Sequence, residues 1–401
     1  MPETTPIPTR APDAPRPEAE FSDEALLLTD APVPGRPQQR VTGPTEITVE
    51  IVTDPAQLAA LEQPWQDLAE NAAEPNPFYE PWALIPALRN FGKGVQVLIA
   101  RDRQTVIGLF PMRRRRGRIE LWHHPYCYLT APLLRRGCER AAISAWLDWV
   151  RTQAATVRLE DVPGDGPVRL HLVEALYQRG WTSLVTDAYA RALLRRAPTA
   201  EHFLSRALAG KRRKELRRQR SRLAEQGRLS VEELPQGEDP RAFISEFLAL
   251  EAAGWKGAEG VAAAGHGRHR SFIEEMLVRA AHRGRLQALA LRLDGKPVAL
   301  KLNLIAGEGA FAFKIAFDEE FARFSPGVQL ELDNVECAHR LPGLRWMDSC
   351  AAPNRFMINH LWPDRREMQT VFFSTGGRLG ALAVALVPLV HFVRRLWRAA
   401  C

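Results

Sequence analysis

From Ile47 onward the chain switches between two hydrophobic periods. Ile47–Val52 alternates as a half-buried strand does, and Asp54 to Glu70 then spaces its apolar residues three and four apart, as a helix does. Asp54 reads as the N-cap of that helix, and Pro55 suits its first position. Further along come a helix at Phe78–Phe91, a hairpin of Val95–Ala100 and Val106–Arg113 across Asp102–Gln104, and a strand at Arg118–His123. A helix at Glu139–Gln153, a strand at Thr156–Leu159 and a helix at Val168–Arg179 ending on Gly180 follow, and Trp181–Leu194 closes the series in one or two strands. A second series opens with a basic helix, Ala200–Gln226, then a strand at Leu229–Leu234 and helices at Pro240–Ala253 and His269–Arg283. Leu286–Leu293 and Pro297–Ile305 form a hairpin about Asp294-Gly295, a dipeptide suited to the positive φ angles of a two-residue turn. A strand at Ala310–Phe317, a helix at Pro326–Leu341, a short strand at Leu344–Asp348, a helical turn at Phe356–Leu361 and a strand at Glu367–Phe373 complete it. The two series share an order without a residue-level repeat, which predicts a tandem α/β (α+β) protein of two mixed sheets flanked by helices.

Composition refines this outline. Residues 1–45 hold ten prolines and one short apolar patch, Phe21–Leu28, so they read as a disordered tail. The folded part divides into halves at 46–197 and 198–375, and 376–401 is an apolar and basic tail. With 46% hydrophobic and 25% charged residues, the 401-residue chain is of the soluble globular class. No signal peptide is visible, and the five scattered cysteines lack any CxxC or Cys/His ligand spacing, which points to a reducing, cytoplasmic setting without a structural metal.

The net charge of +7 has one source. Between Arg206 and Arg228 stand ten Lys or Arg and two Glu, a local +8 that leaves the remainder near −1. Ala209, Leu216 and Leu223 repeat every seven residues there, giving a narrow seam with charge on the other sides. The helix is read either as a solvated bridge between the halves or as a grip on phosphates; without interleaved aromatics or a reader motif, nucleic acid is an unfavoured partner.

Candidate chemistry concentrates from Leu286 to Asp348. The strand Ala310–Phe317 feeds a loop, Asp318–Ser325, and a helix that opens at Ser325-Pro326-Gly327. Serine can cap, proline suits the first helical position and Gly327 allows close approach to the backbone, which together make an anion site at the helix start. Asp348, at the end of its strand, is the leading polar candidate, with Lys314 and Asp318 flanking the same crevice. Trp255 and Lys256, an aromatic beside a cation in the Gly-rich stretch 254–267, suit a polar acceptor such as a sugar.

The order hairpin, third strand, loop, helix and short strand resembles the acetyl-CoA-binding core of the GNAT superfamily, and the chain resembles its tandem branch with the FemAB-like proteins. The segments that carry this are KRRKELRRQRSRLAEQG (211–227), GWK (254–256), LDGKPVALKLNL (293–304), FKIAFDEEFARFSPG (313–327) and WMDSC (346–350). They are most similar to the CelD/BcsL group of acetyltransferases of exopolysaccharide synthesis. The resemblance implies an acyl-CoA-dependent N-acyltransferase with acetyl-CoA or another acyl-CoA as co-substrate, no metal, and a small-molecule amine or amino sugar as acceptor. It places the pantetheine arm between the strands ending at Phe317 and Asp348, with an oxyanion held by a backbone N–H at a bulge. It assigns Arg323, Ser325, Pro326, Gly327, Val328 and Gln329 to the phosphate loop, Asp348, Lys314 and Asp318 to catalysis, and Trp255 and Lys256 to the acceptor. Where the family has Gln/Arg-x-x-Gly-x-Gly/Ala, this chain has Arg-Phe-Ser-Pro-Gly-Val-Gln. Aminoacyl transfer from tRNA and a non-catalytic scaffold beside a polysaccharide synthase stand as alternatives. The run Leu379–Val393, followed by Arg394, Arg395 and Arg398, is too short to span a bilayer and suits contact with the inner face of a membrane.

Overall fold

Each series of elements opens with antiparallel pairing in chain order. In the first, β1 (Ile47–Val52), β2 (Val95–Asp102), β3 (Thr105–Arg115) and β4 (Arg118–Leu121) are neighbours; in the second, β8 (Leu229–Glu233), β9 (Leu286–Leu293), β10 (Lys296–Ala306) and β11 (Gly309–Phe317) are. The structure is a computed structural model and describes residues 47–254, 263–265, 267–353, 356–390 and 392; the first 46 residues, with the Phe21–Leu28 patch, lie outside it. Asp294 at φ 48° and Gly295 at φ 80° take the left-handed turn geometry that fixes the β9–β10 register.

Next comes a parallel step in each series, and a helix supplies the crossover a parallel pair requires. Helix α4 (Glu139–Gln153) carries the chain from β4 to its parallel neighbour β6 (Thr156–Pro163), with β5 (Leu133–Leu134) set aside against β3. Helix α10 (Pro326–Arg340) does the same between β11 and β12 (Trp346–Asp348).

The last strands are exchanged. β7 (Ser183–Arg195) follows β6 in sequence, yet its neighbours are β12 and β13 (Asp364–Ser374); β13 follows β12, yet it lies between β6 and β7. The described strands therefore form one sheet in the order β1-β2-β3-β4-β6-β13-β7-β12-β11-β10-β9-β8. The two sheets expected from sequence are continuous, and position 197/198 does not divide the sheet.

Helices cover both faces: α1 (Pro55–Ala60), α2 (Glu62–Glu70), α3 (Pro81–Phe91), α5 (Pro167–Gln178), α6 (Ala200–Ala207), α7 (Gly210–Ala224), α8 (Arg241–Ala253), α9 (Gly267–His282), α11 (Phe356–Leu361) and α12 (Arg378–Ala385). Apolar contacts join the series across one large core, where Phe91 of α3 meets Phe272 of α9 with ring centres 5.4 Å apart and Phe78 meets Phe311 at 5.9 Å. The basic segment is two helices, α6 and α7, because Leu208 and Ala209 are extended. Leu216 and Leu223 are buried as the seam requires, whereas Ala209 is exposed.

Candidate acyl-transfer site

Register decides the geometry here. Asn303 of β10 faces Ala312 of β11, while Leu302 faces Lys314, so Phe313 is the extra residue of a β-bulge. A bulge reverses which face later side chains meet. Ahead of it, Ala310 and Ala312 pack in the core beneath α10, and Phe311 and Phe313 in the large core on the other face. After it, Lys314 reaches Glu251 of α8, and Ile315 and Phe317 lie against Gly327 of α10. The bulge also lies past the reach of β12. Pairing of β11 with β12 covers Gly309–Phe311 opposite Trp346–Asp348 and ends there.

A polar group surrounds the bulge on the face of the large core. The Lys314 ammonium donates to Glu251 Oε1 at 2.6 Å and stands 5.4 Å from the centre of the Tyr126 ring. The Tyr126 hydroxyl meets His269 Nδ1 at 2.9 Å. Tyr126 and Tyr128 flank Phe313, with ring centres 6.3 and 6.2 Å away. Burial pushes both tyrosine hydroxyls up, so they remain protonated near neutrality. Tyr126, Tyr128, Glu251 and His269 were not singled out from sequence. The aromatic run His123 to Tyr128 looks like core, and its approach to α9 follows only from the fold.

Asp348 takes a different place from that of a free carboxylate base. It is fully buried: Oδ1 accepts from the Cys350 N–H at 2.8 Å and faces Arg191 at 3.4 Å, and Oδ2 faces Arg366 at 3.3 Å. Arg191 in turn donates to the Tyr128 carbonyl and the Tyr189 hydroxyl, and Tyr189 to Asp161. Arg366 pairs with Glu74 at 2.9 Å. Burial opposes the Arg191 charge, but Asp348 and its other acidic neighbours outweigh that and raise its pKa. Burial lifts Glu74 to about 7, with Arg366 opposing. An oxygen pair so engaged is poorly placed to take a proton from an ammonium ion, and doing so would break two ion pairs. The same neighbourhood keeps Cys350 a thiol, since burial and then Asp348 push it far up.

Residues 210–356 match the family described as the acetyltransferase (GNAT) domain. No curated protein matches the chain in sequence. Solved structures that share its fold include three with TM-scores of 0.50 to 0.55. FemX is 11% identical with a TM-score of 0.55, covering 78% of this chain and 95% of that one. A C-terminal domain (DUF2156) assigned to a lysylphosphatidylglycerol synthetase from Agrobacterium fabrum is 14% identical with a TM-score of 0.51, covering 82% and 95%. L-PGS from Bacillus licheniformis is 13% identical with a TM-score of 0.50, covering 84% and 97%.

Within the segment that matches the GNAT domain, the loop before α10 differs in detail from expectation. Ser325, at φ 54°, ends the short 3₁₀ turn Glu319–Phe324 and starts α10, but its side chain makes no capping bond. Pro326 has no N–H, and the N–H groups of Val328 and Gln329 donate to the Ser325 carbonyl. A Cβ on Gly327 would meet Phe317 and Ile315 of β11 at ordinary contact distances of 3.4 and 3.8 Å. Gln329 is buried and donates to the Leu216 carbonyl of α7. Arg323 lies over the Phe324 ring. Such a loop offers few free backbone donors, and the nearby cations come from α7, which packs on α10 and pairs Arg220 with Asp333 at 3.0 Å. Lys211, Arg212, Arg213, Lys214, Arg217 and Arg222 form no ion pair with any described residue, and Gly210, Lys211, Lys214, Glu215 and Arg218 line an open hollow of about 510 Å³.

Asp318 accepts from the Glu320 N–H and caps the 3₁₀ turn. Trp255 and Lys256 lie outside the described residues. Among the described residues, no three His, Cys, Asp or Glu side chains stand close enough to hold a metal ion.

Proposed function

We propose that this chain is a GNAT-type N-acyltransferase that moves an acyl group, acetyl in the first instance, from acyl-CoA to the amine of a small molecule or amino sugar. A place in exopolysaccharide synthesis, on the cytoplasmic side of the membrane, belongs to the same reading. The bulge at Phe313 carries it. In the segment that matches the GNAT domain, the strand carries a bulge just past the end of its pairing with a parallel neighbour, beside a cluster of proton-carrying side chains.

The thioester arm would lie where the pairing of β11 with β12 ends, past Phe311. A backbone N–H at the bulge would hold the carbonyl oxygen as it gains charge, and the Lys314 ammonium, kept in place by Glu251, adds a positive charge on that side. The amine attacks the carbonyl carbon, the carbon–sulfur bond breaks, the new amide sheds the amine's proton and the departing thiolate gains one. Tyr126, hydrogen-bonded to His269, is the pair placed to exchange those protons. Donor phosphates would rest on α7 and the α10 start, through side-chain charge more than through backbone N–H groups. Asp348 acts as a positioning residue, fixing the Tyr128 segment through Arg191.

The row of cations on α7 without described acidic partners favours a second reading, aminoacyl transfer from charged tRNA. Thermal shift with a series of acyl-CoAs and with aminoacyl-tRNA separates the two, because a ligand that binds only the folded state raises its melting temperature. A shift with acyl-CoA alone, with acyl transfer reduced about a hundredfold in Tyr126→Phe, is the expected result. A shift with tRNA alone promotes the second reading, and a shift with neither leaves a scaffold without this chemistry.

A further inference from the structure

Helix α12 has two unlike faces. At Gly380 a Cβ would stand 2.5 Å from the Ala155 carbonyl oxygen and 3.2 Å from Ser374 Cβ, and Val384 is buried, so this face is seated on the chain between α4 and β6 and on the end of β13. Past Ala385 the helical pattern continues, with Leu386 N–H donating to Leu382 and Val390 N–H to Leu386. At about 100° per residue, Leu379, Leu382, Leu386, Leu389 and Val390 fall on the stripe opposite Gly380 and Val384. All five are 43–80% exposed, as is Phe392 at 59%. Single exposed leucines need no explanation, but a stripe of five is the kind of patch that marks an interaction surface.

Charge identifies what covers it. No Asp or Glu occurs in the sequence after Glu367, whereas Arg378 precedes the stripe and Arg394, Arg395 and Arg398 follow it with Trp397 among them. A second copy of this segment would add more arginines and no carboxylate to answer them. An anionic lipid surface meets both requirements, apolar depth for the leucines and phosphate for the arginines. No helix among the described residues is long and apolar enough to cross a membrane.

We propose that the outer face of α12 and its continuation lies in the interface of a bilayer that contains anionic lipid, holding the protein on the membrane surface. This rests on α12 and the residues that follow it and is independent of the acyl-transfer reading.

Sedimentation of the full chain with vesicles of phosphatidylcholine, with and without phosphatidylglycerol, tests it. Binding to the anionic vesicles is expected, weakened about tenfold by omitting phosphatidylglycerol or by raising the salt. Leu382→Glu with Leu389→Glu should lower binding at least about tenfold at unchanged melting temperature, since both side chains are exposed. Arg394→Gln, Arg395→Gln and Arg398→Gln together should remove the preference for anionic lipid. The proposal is overturned if the wild type ignores both vesicles. It is also overturned if light scattering shows a dimer that the leucine variants dissolve, or if binding emerges only after residues 1–46 are removed, because a second copy or the chain's own tail would then cover the face.

Discussion

Without the Asp348 carboxylate, Arg191 and Arg366 would face a buried site with no countercharge between them. Asp348→Asn keeps the shape of the side chain and removes its charge, so its cost falls on folding: about 3 kcal/mol of stability, by the usual price of breaking a buried ion pair from one side. Urea titration measures that loss. The folded fraction should keep the pH profile of turnover, because proton exchange is assigned to Tyr126 and His269. Normal stability with turnover lost would instead make Asp348 the base. Sequence placed this residue at the end of its strand without showing its partners. The end of a strand beside a cofactor gap is a good place for a base, but the two arginines that occupy its oxygens arrive from β7 and β13, 157 and 18 residues away along the chain.

At the scale of elements, α7 separates the ways a basic helix can be used. Arg220 is committed to Asp333, so Lys211, Lys214 and Arg217, all exposed, are the residues to change. Glutamine at these three positions preserves helix propensity to within a few tenths of a kcal/mol per site. If each charge contributes about 0.5 kcal/mol to an anionic donor, the KM for acyl-CoA should rise about tenfold with kcat held. An unchanged KM would return α7 to a solvated role. Much of this level was legible in the chain. Asp294-Gly295 announced its hairpin, and Leu216 and Leu223 announced the buried seam. The bulge was not, because GAFAFKIAF is apolar nearly throughout and alternation cannot show where parity flips. The break at Leu208–Ala209 was hidden for a similar reason, since neither residue is a helix breaker.

For the whole molecule, the exchange of β7 and β13 ties the halves together by backbone hydrogen bonds as well as by side chains. A fragment of residues 47–197 retains β6 and β7 but lacks the strand that lies between them. Expressed alone it should fail to show a cooperative melting transition, and mixing with 198–401 should restore one, as circular dichroism can follow. Independent, cooperative melting of 47–197 would mean that β6 and β7 can close without β13. The exchange also sets an order in time. A ribosome releases β6 and β7 long before β13 exists, and at about 5–20 residues per second the wait lasts roughly ten seconds to half a minute. Through that interval the nascent chain presents open strand edges to every neighbour in the crowded cell, and the half that is made first is finished last.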